Sequence, residues 1–459
     1  MAAGNDGSVS LKKRVCMGID LTPVLPGGDN GGAKLLVIEL IRHLSRLAPC
    51  WQFILLTREE SDAELAALDS QNVRRMCVSS GRACEPGPGA SPGASPARQS
   101  LPASVRLENL ARRVLSRILP LPVRIRMDQV YRRALIALSG LRLPRQKPSF
   151  LRQMGIDLLF CPFTAPFFYD PAVPMVSIVY DLQFHYLPQF FSMEDRLSRE
   201  SHFRESSRLA SKVVCISEHT RSTVLENSDI APPKVVTIYI RLANRVSKPL
   251  PSTVSSVLEL SGLRQNGFLF YPANFWPHKN HRMLLTGFGM FVSRHPESEL
   301  KLVCPGSIVK EKNALQESVA RMGLSERVIL PGYIPDEQFA ALLDSCLAVV
   351  FPSLFEGFGM PVLEAMAFGK PVICSNTTSL PEVAGNAAYY VDPRKPSEIA
   401  DAIAHVAADG ELRTRLIDLG IRRVVEFGGP ENMASEYLDV FLDVLAKQKQ
   451  GRRVPDCFQ

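Results

Sequence analysis

Apolar residues along this chain fall into two rhythms, and the alternation between them sets the first constraint on the fold. Short runs that are apolar nearly throughout read as strands covered on both faces. In the first half these are Arg14–Leu21, Trp51–Thr57, Ile156–Cys161, Pro174–Tyr180, Lys212–Ser217 and Val235–Ile240. The second half repeats the pattern at Gly267–Asn274, Leu300–Pro305, Val328–Leu330, Cys346–Ser353, Pro371–Ser375 and Ala387–Asp392. Helical spacing fills the intervals. Leu36, Val37, Leu40, Ile41, Leu44 and Leu47 recur on one face of Ala33–Leu47, and a helix rich in Arg, Glu and Ser is expected over Asp195–Ala210. Ser217-Glu218 opens another, Lys279 starts the amphipathic stretch that carries HRMLLTGFGMF, and Glu431–Lys447 forms a last one that packs back on the first domain. Strand alternating with helix predicts parallel sheets in an α/β protein. Leu250–Ser256, LPSTVSS, reads as the linker between two such domains.

One region breaks the rhythm. Glu85–Ala103, EPGPGASPGASPARQSLPA, cannot bury a core and reads as a flexible linker. Ser104–Lys147 follows, with Arg and Leu at helical spacing. It holds eleven Lys or Arg against two acids, a charge of +9, so the chain's net +7 leaves −2 for everything else. The basic surplus is local, and its location matters more than its size. Two readings stand side by side: a basic amphipathic insertion that lies on an anionic membrane surface, or a helical hairpin with its Leu face on the domain and its Arg face in water. Pro120-Leu121-Pro122 interrupts any long helix in either case. Residues 1–12, small and polar, read as disordered.

Composition adds exclusions. A chain of 459 residues has room for two or three domains, and 46% hydrophobic with 22% charged residues is ordinary for a globular protein. With no secretory leader and no run of about 18 apolar residues, a cytoplasmic location without a membrane span is expected. Ten Cys are scattered without a CxxC pair, and Cys16, Cys215, Cys346 and Cys374 sit in apolar runs, which points to buried free thiols. Neither a metal site nor a nucleic-acid partner is expected, and no cofactor beyond a substrate is implied.

The chemistry concentrates in FPSLFEGFGMPVLEAMAFGKP, Phe351–Pro371. A buried strand leads into a glycine-containing loop, Pro361 suits a first helical turn, Val362, Leu363, Ala365 and Met366 form an apolar face, and Gly369 with Pro371 ends the helix. The amides of Glu356-Gly357-Phe358-Gly359-Met360 face out of a helix N-terminus, where phosphate is favoured. Carboxylates on both sides, Glu356 in the loop and Glu364 in the first turn of the helix, would repel a phosphate but suit the hydroxyls of a sugar nucleotide. A helix start enriched in Glu for dipole reasons is the plainer reading of the spacing alone.

Glu356 and Glu364, within EGFGMPVLEAMAFGKPVICSNTTSLPEVAG, resemble the signature of the retaining glycosyltransferases of family 4, and bacterial mannosyltransferase-like members among them. The resemblance implies the GT-B fold, two Rossmann-like domains facing across a cleft, here with the basic helical insertion in the first. It covers the second domain strongly, the first weakly, and leaves residues 58–150 outside. What it implies is transfer of a hexose from a nucleotide sugar to a saccharide or lipid-linked saccharide with retention of configuration, in cell-surface polysaccharide assembly. Glu356 would contact the transferred sugar and Glu364 the ribose, with no metal needed.

The remaining site residues follow the same resemblance. Lys279 would neutralise the donor diphosphate, and a Lys at a helix start, against the dipole preference, invites such an anion. Relatives usually pair it with an Arg five positions earlier, where this chain has Asn274. Tyr333 and Ile334, after the Val328–Leu330 strand, would lie against the nucleobase. Gly31-Gly32 would let the backbone approach the donor, although a plain turn reads equally well. Asp181 ends its strand as a candidate for acceptor contact or general base, preceded by Tyr180 where relatives have His. His185 and Ser217 would stand on the acceptor side, His185 being readable also as loop packing. The layout is thus a first domain over 13–249 that takes the acceptor, a second over 257–430 that takes the donor, and a crossover helix and tail over 431–459. Two other functions remain compatible with these residues: a GT-B epimerase or hydrolase of sugar nucleotides, and a catalytically silent nucleotide-sugar-binding partner marked by Asn274 and Tyr180.

Overall fold

A computed structural model describes residues 14–27, 31–79, 82–83, 150–164, 166–307 and 309–451. The expected disordered start, the linker 85–103 and the basic insertion 104–147, with its membrane reading, lie outside those residues.

The first sheet contains β1 (Cys16–Asp20), β2 (Gln52–Thr57), β3 (Val73–Ser79), β4 (Arg82–Ala83), β5 (Leu158–Cys161), β6 (Met175–Val179), β7 (Lys212–Cys215) and β8 (Val235–Thr237), in the order β4-β3-β2-β1-β5-β6-β7-β8. All neighbours are parallel except β3 and β4. Central strands are apolar on both faces because both are covered: Phe53 and Leu55 of β2 enter one core, Ile54 and Leu56 the other. Each such side chain contributes roughly 1.5–3 kcal/mol by leaving water.

The second sheet contains β9 (Phe268–Phe270), β10 (Lys301–Pro305), β11 (Val328–Gly332), β12 (Ala348–Phe351), β13 (Val372–Ser375) and β14 (Tyr389–Val391). Its order, β11-β10-β9-β12-β13-β14, reverses direction between β9 and β12. In an open parallel sheet that reversal leaves a crevice outside the carboxyl ends of the two strands, where ligands bind. The turn that carries Lys279 follows β9, and the loop that carries Glu356 follows β12. Chain order alone therefore places both at the reversal point.

The C-terminal helix Pro430–Gly451 leaves the second sheet and packs on the first. Tyr437 and Phe441 meet Phe160 of β5 edge-on, with ring centres 5.9 and 5.2 Å apart, while Gln448 donates to the Ala172 carbonyl.

Four expectations need correction. Leu250–Ser256 is no linker: Leu250 caps a helix, Pro251–Ser261, that packs on the helix Asp336–Ser345 and stops at left-handed Gly262. Pro251 at the first helical position, followed by Val254, Val257 and Leu258 at helical spacing, explains it. Lys279 does not start a helix. It closes a short 3-10 turn, Pro277–Lys279, and left-handed Asn280 separates it from the helix His281–Arg294. Glu364 sits beyond the first turn of Met360–Ala367, because that helix begins at Met360. Cys16 is half-buried rather than buried, since the residue opens an inner strand at its solvent end.

Candidate active site

Lys279 and Glu356 meet at the reversal point of the second sheet. Lys279 Nζ donates to Glu356 Oε1 at 2.6 Å, with the two side chains 18% and 11% exposed. Both are held from behind by their backbones. The buried Tyr271 hydroxyl donates to the Lys279 carbonyl at 2.5 Å. Asn280 Nδ2 ties that turn to the carbonyls of Pro352 and Pro393 at 3.0 and 2.7 Å. The Glu356 carbonyl accepts from Ser379 Oγ, which also bonds the Phe358 carbonyl, and the Glu356 N–H donates to Thr378 Oγ1. That amide is therefore already used within the fold, so the cradle expected from the loop is confined to the amides of Gly357 to Met360.

Across the cleft stands Asp181, just past β6. Burial pushes its carboxyl above the usual range, the Gln183 N–H and Arg199 draw it back, Glu356 raises it and Lys279 lowers it. Asp181 also packs on the loop itself, where a Cβ on Gly357 would lie 3.2 Å from the Asp181 Cβ, so Asp181 meets the residue next to Glu356 from the first domain. His278, beside Lys279, is half-buried, and desolvation pushes its imidazole down to about 4, so it is neutral near pH 7.

The domains touch through the loop itself. Ser217 Oγ donates to the Gly357 carbonyl at 2.7 Å, and Thr220 Oγ1 lies 3.2 Å from the same oxygen. A Cβ on Gly357 would lie 2.1 Å from the Tyr180 carbonyl oxygen, which only glycine permits. Glu382 accepts the N–H groups of Glu218 and His219 at 2.6 and 2.9 Å, an acid at a helix start where the dipole favours it. Gly32 lies close to the same loop: a Cβ there would meet the Met360 sulfur at 3.3 Å, whereas one on Gly31, at φ +52, would meet open space.

Not every expected residue joins Lys279, Glu356 and Asp181. His185 turns to Glu200, 2.9 Å away, and packs on Phe184 and Phe203, so its place is inside the first domain. Phe358 is buried against Phe427, and only its backbone reaches the loop surface. Gly359, at φ +100, is packed against Leu380. Asn274 Oδ1 accepts from the Ser307 N–H and hydroxyl, so its side chain serves the loop after β10. Tyr333 is 77% exposed and Ile334 half-buried at the rim. Glu364 is 2% exposed and paired with Arg245 at 2.5 Å.

Arg245, Glu382 and Asp20 were not singled out by the sequence. Asp20 ends β1 at the first sheet's own reversal point, is buried, and has a carboxyl pushed up to about 6 by that burial. An acid that closes an apolar strand, as in CMGID, was the available signal. Arg245 and Glu382 form long-range pairs that no local pattern announces. Among the described residues no cluster of metal-ligating side chains occurs.

Residues 262–423 match the model of the family "Glycosyl transferases group 1". Among curated proteins the chain is similar to "O-antigen chain mannosyltransferase B" of Escherichia coli, 27% identical over 266 residues, or 58% of this chain and 69% of that protein. It is also similar to "MMP alpha-(1->4)-mannosyltransferase" of Mycolicibacterium hassiacum, 32% identical over 152 residues, or 32% of this chain and 36% of that protein. Anabaena Alr3699/HepE, solved in complex with UDP-glucose, superposes with a TM-score of 0.64 at 15% identity over 93% of this chain and 99% of its own. WaaG, a glycosyltransferase involved in lipopolysaccharide biosynthesis, does so at 0.59 and 12% identity, over 91% and 98%. At these identities the solved structures establish the fold, GT-B, with two Rossmann-like domains.

Proposed function

We propose that this chain, whose residues 262–423 match the group 1 glycosyl transferases, moves a hexose, mannose first among the candidates, from a nucleotide-sugar donor to a saccharide or lipid-linked saccharide acceptor. The donor would occupy the reversal point of the second sheet. Glu356 then orients the transferred sugar, Glu364 takes the ribose, and Tyr333 with Ile334 flanks the base. Lys279 and the Gly357–Met360 amides stabilise charge on the leaving diphosphate. Asp181 faces the acceptor from the first domain.

One observation carries this reading: the Lys279–Glu356 pair at 2.6 Å, coupled across the cleft to Asp181. Such a cluster puts a cation where negative charge develops and a carboxylate where an oxocarbenium-like sugar becomes positive, and both interactions gain strength in the transition state. The names of both curated relatives support mannose, and the O-antigen chain in the name of the first supports cell-surface polysaccharide assembly.

A thermal-shift screen with UDP, GDP and ADP tests the donor. The correct diphosphate at 100 times its dissociation constant should add about 2.7 kcal/mol of stability. Product analysis by NMR, with retention of the anomeric configuration expected, tests the reaction. A chain stabilised by none of the three nucleotides would overturn the donor assignment.

A further inference from the structure

The segment between β8 and the helix Pro251–Ser261 carries the chain from the first sheet to the second, and Arg245 lies along it. Its Nε donates to Glu364 Oε1 at 2.5 Å, and its guanidinium sits 5.6 Å over the Phe339 ring. Arg241, four residues earlier, is anchored to Glu436 and to the Phe427 carbonyl, so the crossing segment is fixed by two arginines. Glu364 itself is 2% exposed. A carboxylate so buried keeps its charge only with a partner, and removing the partner of a buried pair is costly. An ionised carboxylate has two acceptor oxygens, and here Arg245 takes one of them.

We propose that Arg245 is a positioning residue for the donor nucleotide: by holding Oε1 of Glu364 it leaves Oε2 ready to accept from the ribose hydroxyls. The inference rests on the assignment of Glu364 to the ribose. It adds that the segment joining the two domains, and not only the second domain, sets nucleotide affinity.

The charged groups that act on Glu364 are Arg245 and Asp336 of the helix Asp336–Ser345. Burial raises the Glu364 carboxyl, Asp336 raises it further, and Arg245 draws it down. Without Arg245 it rises again, so the ionised form needed for accepting is lost at a higher pH as pH falls. Donor affinity in an Arg245 variant should therefore fail on the acidic side and recover as pH rises.

The test is calorimetric titration of the full chain with the nucleoside diphosphate, UDP, GDP or ADP, that stabilises the wild type, across about pH 5.5 to 9. Arg245→Met should weaken Kd roughly tenfold near pH 6.5, with the gap closing toward pH 9. Arg245→Lys, which keeps the charge but loses the planar fork, should recover part of the loss. In a Glu364→Gln background, Arg245→Met should change Kd by less than about threefold, since nothing remains to be positioned. That double variant also replaces a buried pair by neutral groups, so it keeps the test open if Arg245→Met alone folds poorly. A loss that is independent of pH, or undiminished in the Glu364→Gln background, would overturn the proposal. If Glu364→Gln binds nucleotide like the wild type, the ribose assignment fails first. If Glu364→Gln is weakened while Arg245→Met is normal, only the inference about Arg245 fails.

Discussion

Two carboxylates flank the same loop, and each meets a cation at nearly the same distance. Glu356 meets Lys279 at 2.6 Å at the mouth of the crevice, and Glu364 meets Arg245 at 2.5 Å in the interior. Burial separates the acids, 11% against 2% side-chain exposure, while the two cations are alike at 18% and 20%. A paired carboxylate that water still reaches can exchange its partner for a ligand at modest cost, whereas a fully buried one is expensive to leave unpaired. Similar geometry therefore supports different work. The outer pair can exchange partners during a reaction, and the inner pair offers a ligand only the oxygen it leaves free.

The sharpest way to break that comparison is to neutralise the outer pair. Glu356→Gln should lower kcat by a hundredfold or more, on the order of 3 kcal/mol, with donor Kd nearly unchanged. Lys279→Ala should lose a similar amount. Steady-state kinetics with a parallel binding titration would check both. A Glu356→Gln enzyme that lost affinity and kept kcat would mean that the two carboxylates do the same job.

Next in size is the contact that places the outer pair against the first domain. Gly357→Ala puts a methyl 2.1 Å from the Tyr180 carbonyl oxygen, backbone that cannot turn aside. Overpacking of this kind costs about 2 kcal/mol, so kcat/KM should fall roughly thirtyfold while nucleotide binding to the second domain persists. Kinetics together with titration of the nucleotide alone would measure that split. Equal losses in both would place the strain inside the second domain.

How much of this could be read from the sequence differs between the two pairs. The outer pair's loop, the strand before it and the helix after it are local, so hydrophobic period, Pro361 and the glycines revealed them. Lys279 was found because a cation stood after a strand, although left-handed Asn280 moved it out of the helix expected there. The inner pair was half visible: Glu364 by its spacing, Arg245 not at all, since 119 residues separate them and the segment between β8 and the next helix was read as leading into a linker. The same holds for Glu382, which meets the other domain over 164 residues of chain, and for the partner of Ser217, a residue expected on the acceptor side whose bond to Gly357 spans 140 residues. β3 was missed because VRRMCVS, next to the sheet edge, puts two adjacent Arg near its start and so shows neither a continuous apolar run nor a strict alternation.

A smaller effect is expected where the inner pair would meet the ribose. Glu364→Gln removes a charged acceptor but keeps its shape, and a hydrogen bond to a charged group contributes about 1.5 kcal/mol or somewhat more. The apparent KM for the donor should rise roughly tenfold with kcat held within about threefold. Kinetics at saturating acceptor would check it, and a fall in kcat with KM unchanged would reverse the roles assigned to the two carboxylates.

The smallest expected effect concerns Ser217, which links the two domains without touching either pair. Its hydroxyl donates to the Gly357 carbonyl at 2.7 Å, but the Thr220 hydroxyl lies 3.2 Å from both that oxygen and the Tyr180 carbonyl, so its one proton can turn to Gly357 when Ser217 is lost. Ser217 also accepts from the Thr220 N–H as the cap of the helix Glu218–Glu226. Losing one net hydrogen bond costs about 1 kcal/mol, and losing the cap a similar amount in helix stability. Ser217→Ala should thus lower kcat/KM about fivefold and lower Tm by a few degrees. Ser217→Asp keeps a capping oxygen but cannot donate to the carbonyl, so it should restore part of the Tm without restoring kcat/KM. Melting curves and kinetics on the two variants separate the cap from the interdomain bond. Recovery of both quantities in Ser217→Asp would show that the bond to Gly357 contributes nothing to holding the loop.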